Sequence, residues 1–288
     1  MTFVVTFLNT LHDGKSNDAQ KTVRIIKNKR GYIRSGPYNI NNRRKYMLSK
    51  SQVKYIQSLG HKKFRDEEGV FIVEGPKIVK EILNEIPASV NSIVALEDWV
   101  IKNGSLLKHI KCETINEAEL ERISQLSAPN HVLAVVKKFP EPVIETKNKI
   151  TLALDTVQDP GNLGTIIRTA DWFGVDQVVC SNDSADMYNP KVVQATMGSI
   201  VRVKIIYTDL EQWIHQQSVK VYAASLTGKD IHETGKPAEG IIIIGNESKG
   251  IHPQLLQRAD EQITIAKKGK AESLNAAVAA GIILSCLT

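Results

Sequence analysis

The sequence predicts an α/β protein whose carboxyl-terminal half is built on a mostly parallel β-sheet. Strand-like and helix-like segments alternate from residue 47 onward, a pattern typical of parallel sheets covered by helices on both sides. The segment 241–244 is isoleucine at every position, as expected of a strand with both faces buried. A length of 288 residues indicates two domains, each able to bury its own core.

Residues 1–46 differ in composition from the rest of the chain. They carry ten Lys/Arg and two Asp, a net charge of +8, whereas the remaining 242 residues carry 27 basic and 29 acidic side chains, a net charge of −2. We expect 1–46 to be a basic, disordered extension, or Met47 to be the true start; an RNA-binding arm is the less favoured interpretation. RNA binding by the body must therefore be argued from local patches.

The region 47–138 is predicted to be a small α/β domain. Asn116, with Glu119 three residues later, resembles a capping box that begins a helix. The other expected helices span 47–59 and 77–84, and the expected strands span 71–74, 92–96, 111–115 and 131–136. Residues 139–149, with two prolines and mixed charge, are the predicted linker.

The region 150–288 is predicted to be the second α/β domain. Its expected strands span 151–155, 177–180, 201–206, 220–225, 241–245 and 262–265, with helices between them. A last helix is expected over 273–287, capped by Ser273 or Asn275. Its apolar stretch is too short to span a bilayer.

Polar residues open the first helix of this domain. A Pro-Gly turn at 160–161 precedes Asn162, and Arg168 follows six residues later. Arg168 falls about 140° around the helix from the apolar Leu163, so it is not predicted to be a core residue. Taken alone, this pattern favours a solvated surface arginine capped by a Pro-Gly-Asn turn.

Two further segments favour a ligand site. The loop Gly245-Asn246-Glu247-Ser248-Lys249-Gly250 directly follows the isoleucine strand, where α/β sheets bind ligands. It lacks the dinucleotide and P-loop fingerprints, which argues against a nucleotide-binding oxidoreductase. The segment from Ser273 to Gly281 is rich in Ala and Gly, so a ligand or another backbone could approach it closely. Alternatively, these are an ordinary turn and a tightly packed terminal helix.

Together the three segments resemble the SpoU/TrmH family of RNA 2′-O-ribose methyltransferases, within the SPOUT class. The N-x-x-x-x-x-R motif is Asn162 and Arg168, the G-N-E-x-x-G motif begins at Gly245, and the S-L-N motif is Ser273, Leu274 and Asn275. Residues 189–199 are similar to the family's N-P-K segment, and 64–75 less specifically resemble the preceding substrate-binding domain. The resemblance implies a trefoil knot, a ribosomal-protein-like α/β fold for 47–138, and a homodimer. A cytoplasmic location is expected from the three widely spaced cysteines, which are typical of reduced thiols.

The resemblance also implies S-adenosyl-L-methionine as cofactor and RNA as substrate, ribosomal RNA being favoured over transfer RNA. The implied cofactor-binding residues are Ser225, Leu226, Thr227, Gly228, Gly245, Asn246, Glu247, Ile263, Ile265, Lys267, Ser273, Leu274 and Asn275. Arg168 is implied to act on the ribose 2′-hydroxyl, near the cofactor pocket of the partner subunit. We expect it to stabilise charge, because a guanidinium is very hard to deprotonate; Asn162, Glu247 and Asn275 would hold Arg168 and the ribose in place.

The chain departs from the family pattern at two places. The usual I-P-M reads Ile265-Ala266-Lys267, and the usual arginine of the N-P-K segment is Gln194. These departures slightly favour the alternative function, a non-catalytic RNA-binding or ribosome-assembly protein. The intact polar set Asn162, Arg168, Glu247 and Asn275 favours the enzyme.

Local basic residues are the candidates for RNA contact, with solvated surface charge as the alternative. They are Lys62, Lys63, Arg65 and Lys191. Three widely spaced cysteines and seven scattered histidines show no ligand spacing, so neither a metal site nor a disulfide framework is predicted. The apolar start of the chain lacks a preceding basic segment, so it is not interpreted as a signal peptide.

Overall fold

The computed structural model describes residues 47–288 and, before them, the backbone of 25–28 and 31–34. Those two short strands, β1 (Ile25–Asn28) and β2 (Gly31–Arg34), pair antiparallel. The remaining residues of 1–46, and with them the expected disorder, lie outside the described residues. Residues 48–288 form a compact unit of their own.

The first part of this unit contains a four-stranded sheet in the order β3-β6-β4-β5. Strands β4 and β5 are parallel, and the other two pairings are antiparallel. The elements are α1 (Lys50–Ser58), α2 (Lys62–Glu68), β3 (Val70–Glu74), α3 (Pro76–Glu85), a 3-10 turn (Pro87–Ser89), β4 (Val90–Leu96), α4 (Glu97–Asn103), a 3-10 turn (Gly104–Leu107), β5 (Cys112–Ile115), α5 (Glu117–Ile123) and β6 (Val132–Lys137).

Two helices of this part begin with complete capping boxes. Asn116 caps α5 and exchanges hydrogen bonds with Glu119, as the sequence predicts. Ser49 and Gln52 do the same for α1. Each cap satisfies backbone N–H groups that the first helical turn leaves free, which typically contributes about 1 kcal/mol.

The second part contains a six-stranded sheet in the order β12-β10-β11-β7-β8-β9. Every pairing in it is parallel, which confirms the predicted mostly parallel sheet. The elements are β7 (Ile150–Leu154), α6 (Pro160–Trp172), β8 (Gln177–Ser181), α7 (Pro190–Thr196), a 3-10 turn (Ser199–Val201), β9 (Lys204–Thr208), α8 (Leu210–His215), β10 (Val221–Asp230), a 3-10 turn (Ile231–Glu233), β11 (Gly240–Ile244), α9 (Pro253–Arg258), β12 (Glu261–Thr264) and α10 (Ala276–Leu287).

The isoleucine strand β11 lies inside this sheet and is buried along its whole length. Ile242 and Ile244 belong to one hydrophobic cluster, and Ile241 and Ile243 to another. Because alternate side chains of a strand point to opposite faces, the sheet has a core on each side. Helices therefore cover both faces, as predicted.

Four predicted boundaries are wrong by three or more residues. The helix expected from residue 47 begins at Lys50, and the strand expected to end at residue 225 continues to Asp230. The strand expected over 201–206 begins at Lys204, because Met197 (φ 51°) and Gly198 (φ 105°) turn the chain into a 3-10 turn first. The last helix begins at Ala276 rather than at 273, with Asn275 as its cap.

The two parts of the unit share one continuous hydrophobic cluster. Phe71 of β3 packs against Tyr188, with ring centroids 4.8 Å apart, and the backbone N–H of Phe139 donates to the Tyr188 hydroxyl at 2.9 Å. The guanidinium of Arg65 pairs with Asp186 at 2.6 Å. These contacts fix how the two sheets are oriented relative to each other.

Candidate active site

A cavity of about 940 Å³ opens at the carboxyl ends of β10, β11 and β12. Its walls are residues 224–227 within β10, the loops that follow β11 and β12, and α10 as far as Ile283. Apolar side chains contribute much of the lining, among them Ile244, Ile263 and Ile283. This edge of a parallel sheet is where α/β folds bind ligands.

Strand β10 leaves its regular path to form one wall. Its pairing with β12 shifts register between Ala224 and Lys229, so residues 225–228 lie out of the ladder, and the first three of them line the cavity. A Cβ on Gly228 would lie 2.5 Å from the carbonyl oxygen of Gln262. Only glycine permits this close approach of two backbones.

The loop after β11 is held by the Asn246 side chain. Its amide oxygen accepts from the backbone N–H groups of Ser248 (2.9 Å) and Lys249 (3.2 Å). Its amide nitrogen donates to the carbonyl of Thr156 at 2.9 Å, which ties the loop to the end of β7. A Cβ on Gly245 would lie 2.4 Å from the backbone of Gly250, so the loop closes tightly on itself.

Side chains from the three sequence motifs form one hydrogen-bonded chain beside the cavity. The Asn162 amide nitrogen donates to Glu247, and the Asn275 amide nitrogen donates to the Asn162 oxygen at 2.8 Å. Asp159 caps α6 by accepting from the Asn162 backbone N–H at 2.8 Å. The Asn275 oxygen caps α10 by accepting from the N–H of Ala277 and Val278. Two helix amino termini are thereby positioned next to Glu247.

Arg168 is exposed on α6, six residues beyond Asn162 and about 9 Å farther along the helix. It does not line the cavity. Within 47–288 no hydrogen bond or ion pair engages its guanidinium. Trp172, one helical turn later on the same face, is 84% exposed. Arg168 is therefore a free cation beside an uncovered aromatic ring.

The cavity brings together most of the residues predicted to bind a cofactor. Gly228 and Asn275 are not in its lining: Gly228 backs the β10 wall, and Asn275 caps α10 beside it. The lining residues are Ser225, Leu226, Thr227, Gly245, Asn246, Glu247, Ile263, Ile265, Lys267, Ser273 and Leu274.

The prediction of an RNA contact is wrong for one of the four residues. Lys62, Lys63 and Lys191 are exposed, but Arg65 is 1% exposed. Its guanidinium donates to the carbonyls of Leu59 and Gly60 and to the Asp186 carboxylate. Arg65 therefore joins the two parts of the unit and is not available to RNA.

Several residues of the site were not predicted. Thr156 has a left-handed φ of 58°, uncommon for a β-branched residue, and its carbonyl holds Asn246. The carboxylate of Asp155 accepts from the His252 backbone N–H at 2.6 Å. Ile251 and Ala279 line the cavity. The Asp-Pro pair at 159–160 was a usable signal, since it is typical of a capped helix start; nothing local marks Thr156.

In 47–288, no group of three or more His, Cys, Asp or Glu side chains is arranged to hold a metal ion. Burial raises the pKa of the Cys180 thiol to about 12, so this cysteine is not a nucleophile near neutral pH. No helix in the described part of the chain is long and apolar enough to cross a membrane.

Comparison with known proteins identifies two families along the chain. Residues 149–285 match the SpoU rRNA Methylase family, and residues 50–134 match the MRM3-like substrate binding domain. The 23S rRNA (guanosine(2553)-2'-O)-methyltransferase of Bacillus subtilis (strain 168) is 34% identical over 237 residues, covering 81% of this chain and 94% of the relative. The 23S rRNA (uridine(2479)-2'-O)-methyltransferase of Streptomyces viridochromogenes is 28% identical, covering 78% and 85%.

A solved structure has the same fold. The AdoMet-bound rRNA methyltransferase from Sinorhizobium meliloti superposes with a TM-score of 0.74 at 30% identity, covering 84% of this chain and 95% of that one. The similarity therefore extends over both sheets and the cavity between the motif-bearing loops. This chain belongs to the SpoU rRNA methylase family.

Proposed function

We propose that this protein transfers a methyl group from S-adenosyl-L-methionine to a ribose 2′-hydroxyl of ribosomal RNA. The observation that carries the proposal is the chain of hydrogen bonds from Asn275 through Asn162 to Glu247 beside the cavity. It joins three motifs that are far apart in sequence. The relatives from B. subtilis and S. viridochromogenes are named as 23S rRNA 2'-O-methyltransferases, which supports this substrate class.

The cavity fits the proposed cofactor in size and chemistry. A volume of about 940 Å³ suits a nucleoside-sized ligand. Leu226, Ile263 and Leu274 offer apolar surface for a purine, while the tight backbone at Gly245 leaves peptide groups within reach of polar atoms. Bound S-adenosyl-L-methionine supplies a methyl group attached to a sulfonium leaving group.

The protein's task is to orient the ribose and stabilise charge on its oxygen. When the cofactor is bound, the hydroxyl proton would pass to solvent water, and the oxygen, carrying partial negative charge, would take the methyl group while the sulfur leaves as a neutral thioether. We assign stabilisation of that charge to the guanidinium of Arg168. We assign orientation of the ribose, beside the arginine that reaches this site, to Asn162, Glu247 and Asn275, because each is already fixed by a hydrogen bond to another.

The position of Arg168 favours a homodimer in which each chain completes its partner's site. Arg168 lies outside the lining of its own cavity, and nothing in 47–288 engages it. On the same helix Trp172 is 84% exposed, and Val278 on the adjacent α10 is 51% exposed. A second copy covering these apolar side chains would carry Arg168 toward a cavity.

Three finer features belong to the same proposal. The first is a trefoil knot in the cavity-forming part, which the family resemblance implies. The second is the division into an RNA substrate-binding domain at 47–138, a linker and a methyltransferase domain at 150–288. The third is action in the cytoplasm. Lys62, Lys63 and Lys191 remain the proposed RNA contacts of the body.

Calorimetric titration with S-adenosyl-L-methionine, followed by a methyl-transfer assay, tests the proposal. The substrate is total ribosomal RNA from a strain lacking the gene, and 2′-O-methylation is mapped before and after reaction. We expect saturable binding and one new modified ribose. Absence of both would indicate a non-catalytic RNA-binding or ribosome-assembly protein.

A further inference from the structure

Four exposed lysines surround the mouth of the cavity. Lys249 lies on the loop after β11, and Lys267, Lys268 and Lys270 lie on the loop after β12. The first three line the cavity, and Lys270 stands between the lining residues Gly269 and Ala271. We call these four residues the lysine rim.

The lysine rim carries charge that nearby acids only partly balance. Glu247 lies on the loop of Lys249 and Glu272 on the loop of the other three lysines, and both line the cavity. Asp183 has a pKa below its ordinary value, chiefly because Ser181 donates a hydrogen bond to it, with a smaller contribution from Lys249. Within 47–288, Lys267, Lys268 and Lys270 make no ion pair or side-chain hydrogen bond. Residues 47–288 together have a net charge of −2. The lysine rim is therefore a local concentration of positive charge on a part of the chain that is slightly negative overall.

Lys267 is among the residues implied to bind the cofactor, but the proposed cofactor does not account for the positive charge of the four side chains. S-adenosyl-L-methionine has a sulfonium, an ammonium and a carboxylate, so it carries one more positive than negative charge. Placing four cations around its entrance weakens its binding by repulsion. The second substrate is a polyanion, and every ribose in RNA has a phosphate on each side. When a ribose enters the cavity mouth, its flanking phosphates must lie at the rim.

We propose that the lysine rim binds the backbone phosphates on either side of the methylated ribose. This inference rests on the proposed function and adds a substrate-binding surface to it. The rim contacts backbone and not bases, so it contributes affinity and register without sequence preference. The choice of nucleotide then falls to other parts of the protein.

Salt dependence of RNA binding tests the lysine rim directly. The probe is a labelled 20-nucleotide single-stranded RNA of random sequence, and the variants are Lys268→Gln and the double variant Lys268→Gln/Lys270→Gln. Each lost phosphate contact should reduce the magnitude of the negative slope of log K against log salt by about 0.7. It should also weaken binding roughly 5-fold at 0.1 M salt. The control is Lys147→Gln, an exposed lysine just before β7, at the opposite edge of the sheet.

The outcomes separate this inference from the proposed function. We expect both rim variants to lose affinity and slope, Lys147→Gln to keep both, and calorimetric cofactor affinity to stay within about twofold. If the double variant keeps the salt-dependence slope of the natural protein, the lysine rim does not bind backbone phosphates, even if the enzyme methylates RNA normally. Weakened cofactor binding with unchanged RNA binding also overturns it, since the lysines would then serve the cofactor's carboxylate. If the natural protein transfers no methyl group to RNA, the proposed function is contradicted, whereas phosphate binding by the lysine rim is not.

Discussion

The side chain of Asn275 donates a 2.8 Å hydrogen bond to the side chain of Asn162, and the same Asn275 caps α10. The two roles can be separated by mutation. Serine is a good cap but is too short to replace the amide donor. Asn275→Ser should therefore keep the free energy of unfolding within about 0.5 kcal/mol and still reduce methyl transfer.

Asn275→Ala is the matched comparison. It removes the cap as well, so it should lose about 1 kcal/mol of stability in urea unfolding in addition to activity. Normal turnover by Asn275→Ser would mean that the contact with Asn162 has no catalytic role.

Arg168→Ala should lower methyl transfer by roughly 10²- to 10³-fold, the effect of losing one group that stabilises developing charge. Cofactor affinity should be unchanged, because Arg168 does not line the cavity of its own chain. Single-turnover transfer of labelled methyl groups and calorimetry measure the two quantities separately.

A mixed dimer tests whether Arg168 acts on the partner's cavity. Thr227→Trp fills the cavity of one chain, and Arg168→Ala disables the other. If the sites are shared, the purified heterodimer has one complete site and should show about half the normal activity. If each chain uses its own arginine, the heterodimer should be as inactive as either parent.

Gly228→Ala should disrupt the wall of the cavity. The added Cβ would lie 2.5 Å from a backbone oxygen that cannot move aside easily, and such overpacking typically costs about 1–3 kcal/mol. We expect a lower urea midpoint and weaker cofactor binding. Gly104→Ala is the control, since nothing lies within 4 Å of its Cβ; equal behaviour of the two variants would argue against a tight crossing.

Asp186→Ala should destabilise the protein strongly, because it leaves the guanidinium of Arg65 buried without its partner. Breaking such a pair commonly costs about 3–5 kcal/mol. Asp66→Ala removes the partner of Lys138 in a more exposed pair and should cost no more than about 1 kcal/mol. Similar urea midpoints for the two variants would contradict the assigned role of Arg65.

Glu74 should make stability depend on pH. Burial raises the pKa of its carboxyl above the ordinary 4.5, against the opposing hydrogen bonds from Ser124 and Gln125. The folded state then holds the proton more tightly than the unfolded state. The contribution of Glu74 to stability is therefore complete below about pH 4.5 and is lost as pH rises through the raised pKa.

The measurement is the difference in free energy of unfolding between the natural protein and Glu74→Gln, from pH 4 to pH 7.5. We expect the natural protein to lose stability relative to the variant as pH rises. A constant difference, or one of opposite sign, would show that the hydrogen bonds outweigh burial.

Features that depend on local pattern could be predicted from the sequence. The burial of β11 follows from its unbroken isoleucines, and the start of α5 from the spacing of Asn116 and Glu119. The three motifs were each ambiguous alone, and their order and spacing made them informative. Their meeting in a hydrogen-bonded chain required the fold.

Features that depend on distant parts of the chain could not be predicted. Arg65 lies in a basic run, and only its partner 121 positions later explains its burial. The irregular segment 225–228 depends on how β10 pairs with β12. The predicted strand therefore ends at residue 225, whereas β10 continues to Asp230. The left-handed Thr156 has no local marker, because apart from a contact with the adjacent Asp155 its hydrogen bonds join it to distant parts of the chain. The partners are Ser181, Asp183 and Asn246.

The hydrophobic cluster that joins the two sheets has a consequence for target choice. Domains that share a buried apolar core move as one body instead of hinging. If the proposed substrate-binding part 47–138 holds the RNA, the cavity can therefore reach only a ribose at one fixed distance from that contact. The protein would then select its target by distance, and the folded shape of the RNA would decide which nucleotide lies at the cavity.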